Sequence, residues 1–160
     1  MAASLEIRLN GGASNTDPDA SLGGTISSQT ISGTALNNLF RDVTAAEATS
    51  GHTDYRSIDI YNAGDATAEV VTAWISTITP STDSVIAFGK DDTATQEIDS
   101  AGETAPAAPV VTFVNHLVGT PLSISNIAAA AHQRLFLRRT ISASAGNYAN
   151  DGITLTVQYA

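Results

Sequence analysis

The chain has 160 residues, with 7 Lys plus Arg against 16 Asp plus Glu and a net charge of -9. That length suits one domain with a real core. The absence of cysteine excludes a disulfide scaffold, a thiolate metal site and a cysteine nucleophile, and the acidic balance opposes binding of nucleic acid through its phosphates.

Leu5, Ile7 and Leu9 alternate with Glu6 and Arg8, which predicts a strand with one buried face, ended by Asn10-Gly11-Gly12. Ala13 to Gly24 reads as a polar surface loop, and Thr25 to Ser32 as a weaker strand. Residues 1–24 are expected to form an N-terminal strand-and-loop arm that could add to a neighbouring subunit, with residues 25–160 as the main domain. On that expectation, removing residues 1–24 weakens association without unfolding the domain. Leu36, Leu39, Phe40 and Val43 fall at i, i+3, i+4 and i+7, so a short helix is predicted there; Ala45 to Ala48 could extend it, and Gly51 stops it.

Tyr55 to Asn62 alternates again, with Ile58 and Ile60 on one face and Tyr55, Ser57, Asp59 and Tyr61 on the other. Ala68 to Thr79 has large apolar residues on both faces and is read as a central strand, paired across Pro80–Asp83 with Ser84 to Phe88. Gly89 to Gly102 is acidic and polar, and Ala105–Pro109 is read as an extended crossing within one domain. Val110 to Val114 and Leu122 to Ile127 are short strands, and Ala128 to His132 is a small-residue turn. Gln133 to Ser142 is a strand, and Asn150-Asp151-Gly152 signals a hairpin before Ile153 to Tyr159. The sum is seven to nine strands and one short helix: an all-β, antiparallel β-sandwich of immunoglobulin-like or jelly-roll type.

Only 14% of the residues are charged, while Ala (26), Thr (20) and Ser (16) abound. Small neutral side chains must therefore cover much of the surface. They lose little entropy when ordered, which suits close packing against neighbours. Candidate chemistry is sparse. His52, His116 and His132 are far apart in sequence, without the spacing of zinc ligands. If an ion binds, Asp17 and Asp19 are the best candidates, although no EF-hand spacing exists and a solvated acidic loop is the simpler reading. No Gly-x-Ser-x-Gly elbow and no phosphate-binding loop is present. No cofactor, metal site or catalytic residue is assigned. Tyr55, Tyr61 and Trp74 could supply a sugar-binding face, but core packing is the simpler reading for Trp74.

Arginine is the informative residue, because six of the seven basic residues are Arg. Arg134 and Arg138 share a strand face with Phe136, and Arg139 projects to the other. Arginine favours planar, bidentate interface contacts, so Arg134, Phe136, Arg138 and Arg139 are read as candidate interface residues. The alternative is pairing with acids of the same chain.

The run Tyr55 to Ala68, with Asn62-Ala63-Gly64-Asp65 between two strands, resembles a hairpin of immunoglobulin-like accessory modules. Ile127 to Thr140 is similar to the small-residue turn and penultimate strand of the same modules. With Ser21-Leu22-Gly23-Gly24 and Asn150-Asp151-Gly152, the chain resembles small β-sandwich structural proteins of tailed bacteriophages, among them capsid decoration (cement) proteins. The resemblance implies a virion protein made in the host cytoplasm, no enzymatic activity, the major capsid protein as partner, and a homo-oligomer with a trimer favoured. The acidic balance predicts no nucleic-acid partner, and the lack of any stretch near ~18 apolar residues predicts no membrane partner. A tail- or fibre-associated module recognising carbohydrate or a host surface is the alternative.

Overall fold

Among the described residues, the alternation of apolar and polar residues is realised as eight strands: β1 (Leu5–Asn10), β2 (Ile26–Thr30), β3 (His52–Asn62), β4 (Thr72–Thr77), β5 (Ser84–Asp91), β6 (Leu122–Ser123), β7 (His132–Ile141) and β8 (Thr154–Gln158). The structure, a computed structural model, describes residues 2–34, 36–92, 97–98, 104–106 and 111–160. The strands form a five-stranded sheet, β2-β1-β3-β7-β5, and a three-stranded sheet, β6-β4-β8. Every pair of neighbouring strands is antiparallel, and the chain is an all-β sandwich.

Period-two geometry decides what lies between the sheets. Ile58 and Ile60 of β3, Leu135 and Leu137 of β7, and Ile86 and Phe88 of β5 form one buried cluster with Ala73 and Ile75 of β4; Leu155 and Val157 of β8 pack against it. No helix among the described residues is long and apolar enough to cross a membrane.

The helix lies later than the apolar spacing predicts. Leu36 and Asn37 have φ of 72° and 53°, left-handed values that no α-helix tolerates. The helix, α1, is Ala45–Ser50, opened by a Thr44/Glu47 capping box and closed at Gly51, whose φ is 81°. Leu39 and Phe40 still pack on the core, from irregular backbone, while Leu36 is 58% exposed.

Strand pairing also differs. β5 does not pair with β4; it lies beside β7 in the other sheet. β4 is central, as expected, but between β6 and β8, and its outer face is open rather than buried. Val70 and Ile78, which extend that face, are 67% and 60% exposed. Residues 78–83 therefore carry the chain from one sheet to the other. The Thr79 hydroxyl donates to the Ser81 and Ser84 carbonyls, and the Ser81 N–H donates to Asp151. Asn150-Asp151-Gly152 likewise makes no hairpin, because β8 pairs with β4 and not with β7. Of the strand expected over Val110–Val114, Val114 makes a single bridge to Phe88 and Val110 lies outside the described residues. The Ala105–Pro109 crossing falls largely outside them too.

Within residues 1–24, β1 is bonded on both edges by strands of its own chain, β2 and β3. The loop after it returns over the outer face of the large sheet, where the Ser57 N–H donates to the Ser21 carbonyl. Within one copy of the chain, this segment thus supplies the second strand of the large sheet.

Candidate functional site

β7 runs through the large sheet between β3 and β5, so each side chain from Arg134 to Ile141 has a cross-strand neighbour on both sides. Arg134, Phe136 and Arg138 point outward from the sandwich, and Leu135, Leu137 and Arg139 inward. The four candidate interface residues meet four different environments.

Arg134 is 1% exposed. Its Nε lies 3.1 Å from Asp59 Oδ1, and its Nη2 lies 3.1 Å from Asp59 Oδ2 and 2.6 Å from the Gly24 carbonyl. Asp59 also accepts from Asn10 Nδ2 at 3.1 Å. Asn10 Oδ1 in turn accepts from the Ser57 hydroxyl at 2.8 Å and the Gly23 N–H at 2.8 Å. This buried polar layer ties β1, β3, β7 and the loop 21–24 together. Phe136 is fully buried beside it, packed with Ile98 and Val111. Gly89 stands opposite Phe136, and a Cβ there would lie 2.2 Å from the Thr112 carbonyl oxygen. The missing side chain is what lets residues 111–113 cross so close to the sheet.

Arg139 lies on the other face. Its Nε is 3.0 Å from Asp54 Oδ2, its Nη1 donates to the Arg41 carbonyl at 2.9 Å, and its guanidinium stacks on Phe40 at 4.9 Å. His52 Nε2 is 2.9 Å from Asp54 and 3.4 Å from Glu47, and Glu47 pairs with Arg41. The Arg41 guanidinium holds the Glu47 carboxyl well below the usual carboxylate range, and Glu47 holds Arg41 above the usual arginine value. Because the folded carboxyl titrates below the unfolded one, near pH ~4.3, this contribution is complete at neutral pH. It is lost as pH falls below that value. Glu47→Gln keeps the capping-box geometry but removes the charge. We expect it to cost about 1 kcal/mol at pH 7. Thermal melts from pH 7 to pH 3 should show a shallower acid decline for the variant than for the parent, with the two curves converging at the acid end.

Arg138 differs from the other three. It is half-buried, and it stands opposite Tyr55 on β3 and Ala87 on β5. Its guanidinium lies 5.2 Å from the Phe113 ring, which meets the Tyr55 ring edge-on at 5.5 Å. Its Nε is buried with no hydrogen-bond partner. Every other basic side chain faces a carboxylate: Arg8 with Glu6, Arg41 with Glu47, Arg56 with Asp19, Lys90 with Asp92, Arg134 with Asp59 and Arg139 with Asp54. Among the described residues no carboxylate forms an ion pair with Arg138. Val85, on the same face one step along β5 from Ala87, is 48% exposed. Val114, which follows Phe113, is 42% exposed. The result is a single cation in an aromatic and aliphatic surround, on a chain with net charge -9.

The other candidates do not converge. His116 sits against Phe88 at 5.1 Å, and His132 lies 3.8 Å from Asp59, so the three histidines occupy separate places. Asp17 caps a 3₁₀ turn by accepting the Asp19 N–H, and Asp19 pairs with Arg56 at 2.7 Å. Among the described residues no group of three or more His, Asp or Glu is placed to hold a metal ion. Trp74 is half-buried on the outer face of the small sheet and is not part of the core cluster, unlike the expectation for it. Tyr55 and Tyr61 are on the outer face of the opposite sheet, six residues apart along β3, or about 20 Å. Tyr61 is stacked under Arg8 at 3.8 Å. The three rings do not share a platform.

No family model matches the chain, and no curated protein or solved structure matches it significantly.

Proposed function

We propose that the chain is a non-enzymatic structural protein of a tailed-bacteriophage virion: a capsid decoration (cement) protein, made in the host cytoplasm, that stabilises the head by bridging major capsid subunits as a homo-oligomer. The observation that carries this reading is Arg138. An arginine held against the Phe113 ring, without an ion partner among the described residues and beside exposed aliphatic residues, has the anatomy of an interface anchor. The small, uncharged Ala, Thr and Ser side chains that dominate the chain supply a surface that can be covered at little entropic cost. A protein that binds only the assembled shell stabilises it by mass action.

The test is binding of the chain to heads of its own phage that lack it. Arg138→Ala should weaken binding by roughly 30-fold, the loss of an anchor worth about 2 kcal/mol. Its melting temperature should stay within a few degrees of the parent, since no ion pair among the described residues is lost. Co-sedimentation with tails and not with heads would replace this reading with the tail alternative.

A further inference from the structure

A sheet edge is a row of unpaired backbone donors and acceptors, and folded chains protect such rows by bulges, cover, charge or brevity. Three of the four edges here are protected. β2 is bulged against β1, and its residues are bonded by the loop before it, Ser28 N–H to the Ala13 carbonyl and the Ser27 hydroxyl to the Asn15 carbonyl. β5 carries Lys90 and is covered by Val114, which exchanges two backbone hydrogen bonds with Phe88, and by Asn115, which donates to the Ile86 carbonyl. β6 has two residues.

Among the described residues, β8 has none of these devices. Thr154–Gln158 pairs with β4 on one side, and among the described residues no strand pairs with it on the other. From Ile153 to Tyr159 it has no charge, no proline and no glycine. The one register shift in the β4–β8 pair places the extra residue, Ser76, on β4 and leaves β8 regular. The neighbouring β4, Thr72–Thr77, is also uncharged. On a chain of net charge -9, this is a place where two copies can approach without bringing like charges together.

We propose that β8 is the self-association edge of the protein. Two copies pair antiparallel, β8 to β8, about a two-fold axis near Thr156, and join their small sheets into one six-stranded sheet. Antiparallel pairing of identical strands is isologous: Thr154 of one copy meets Gln158 of the other, and Thr156 meets itself. The elementary assembly is a dimer rather than the trimer expected from the resemblance. The pairing is a property of the free chain and does not depend on the capsid reading.

Size-exclusion chromatography with light scattering on the full chain tests this. The parent should give twice the 16.4 kDa of one copy. Thr156→Lys and Thr156→Glu each place like charges opposite one another across the axis and should each weaken dimerisation by at least about tenfold. Mixing the two variants should restore the dimer, which a misfolded variant would not do. A monomeric or trimeric parent, or a dimer unchanged by either substitution, or no restoration on mixing, would overturn the proposal.

Discussion

Replacing Asp59 with alanine should lower the free energy of unfolding by about 3–5 kcal/mol, because it removes the buried carboxylate that two nitrogens of the Arg134 guanidinium hold. Both groups are almost completely buried, at 0% and 1% exposure, so water cannot take over the lost contact without opening the layer. Asn10 would lose an acceptor as well, and the hydrogen bonds that hold Ser21 and Gly23 over the sheet run through Asn10. For a chain of this size the loss corresponds to a fall in melting temperature of roughly 10 °C. The double variant Asp59→Leu with Arg134→Met should recover much of that loss, because an apolar pair of similar volume avoids the desolvation of two charges. Equilibrium urea denaturation of the two single variants and the double variant closes the thermodynamic cycle. A loss below about 1 kcal/mol for Asp59→Ala would mean that the layer is hydrated.

Removing residues 1–24 should abolish cooperative folding. The expectation drawn from the polar loop was an arm that could be lost without unfolding the domain. The pairing of β1 with both β2 and β3 argues for the opposite outcome. β1 is the second strand of the large sheet, and Leu9 belongs to the core, with Leu5 and Ile7 packed against it. Without Asn10, Ser21 and Gly24, the buried Asp59–Arg134 pair faces solvent, and β3 becomes an open edge. Circular dichroism melts of the truncated chain should show no sigmoidal transition. A cooperative melt near that of the parent would show instead that the sandwich closes without its first layer.

Much of the strand inventory is written in local alternation. Leu5–Leu9, Tyr55–Asn62, Gln133–Ser142 and Ile153–Tyr159 each display period two in the sequence, and each overlaps a strand. The division of β7 into an outward Arg134-Phe136-Arg138 face and an inward Arg139 follows from the same geometry. The helix was legible too, but in a different signal from the one that spacing suggested. Thr44-Ala45-Ala46-Glu47 is a capping-box sequence, and it marks the start of α1. The spacing of Leu36, Leu39, Phe40 and Val43 misleads because Leu39 and Phe40 reach the core from irregular backbone.

The fates of the arginines were not legible. Arg134 finds Asp59 at a separation of 75 residues, and Arg139 finds Asp54 at 85. Sequence alone presents four candidate residues with one shared character. Folding buries three of them and leaves Arg138 half-exposed, with no carboxylate partner among the described residues. The open edge is a similar case. The uncharged run from Ile153 to Tyr159 is visible in the sequence, but that it lies at an edge depends on β4 pairing with β8 instead of β5.

By itself, then, the sequence determined the all-β class, which residues alternate, and a small neutral surface with scarce arginine. These properties depend on neighbours two to four residues apart, where backbone geometry dictates which side chains share a face. Only the tertiary structure decided which strands pair, which charges neutralise each other and which edge stays open. Those outcomes depend on contacts that close across the whole chain, where several partners satisfy the same local pattern and the packing of both sheets selects among them.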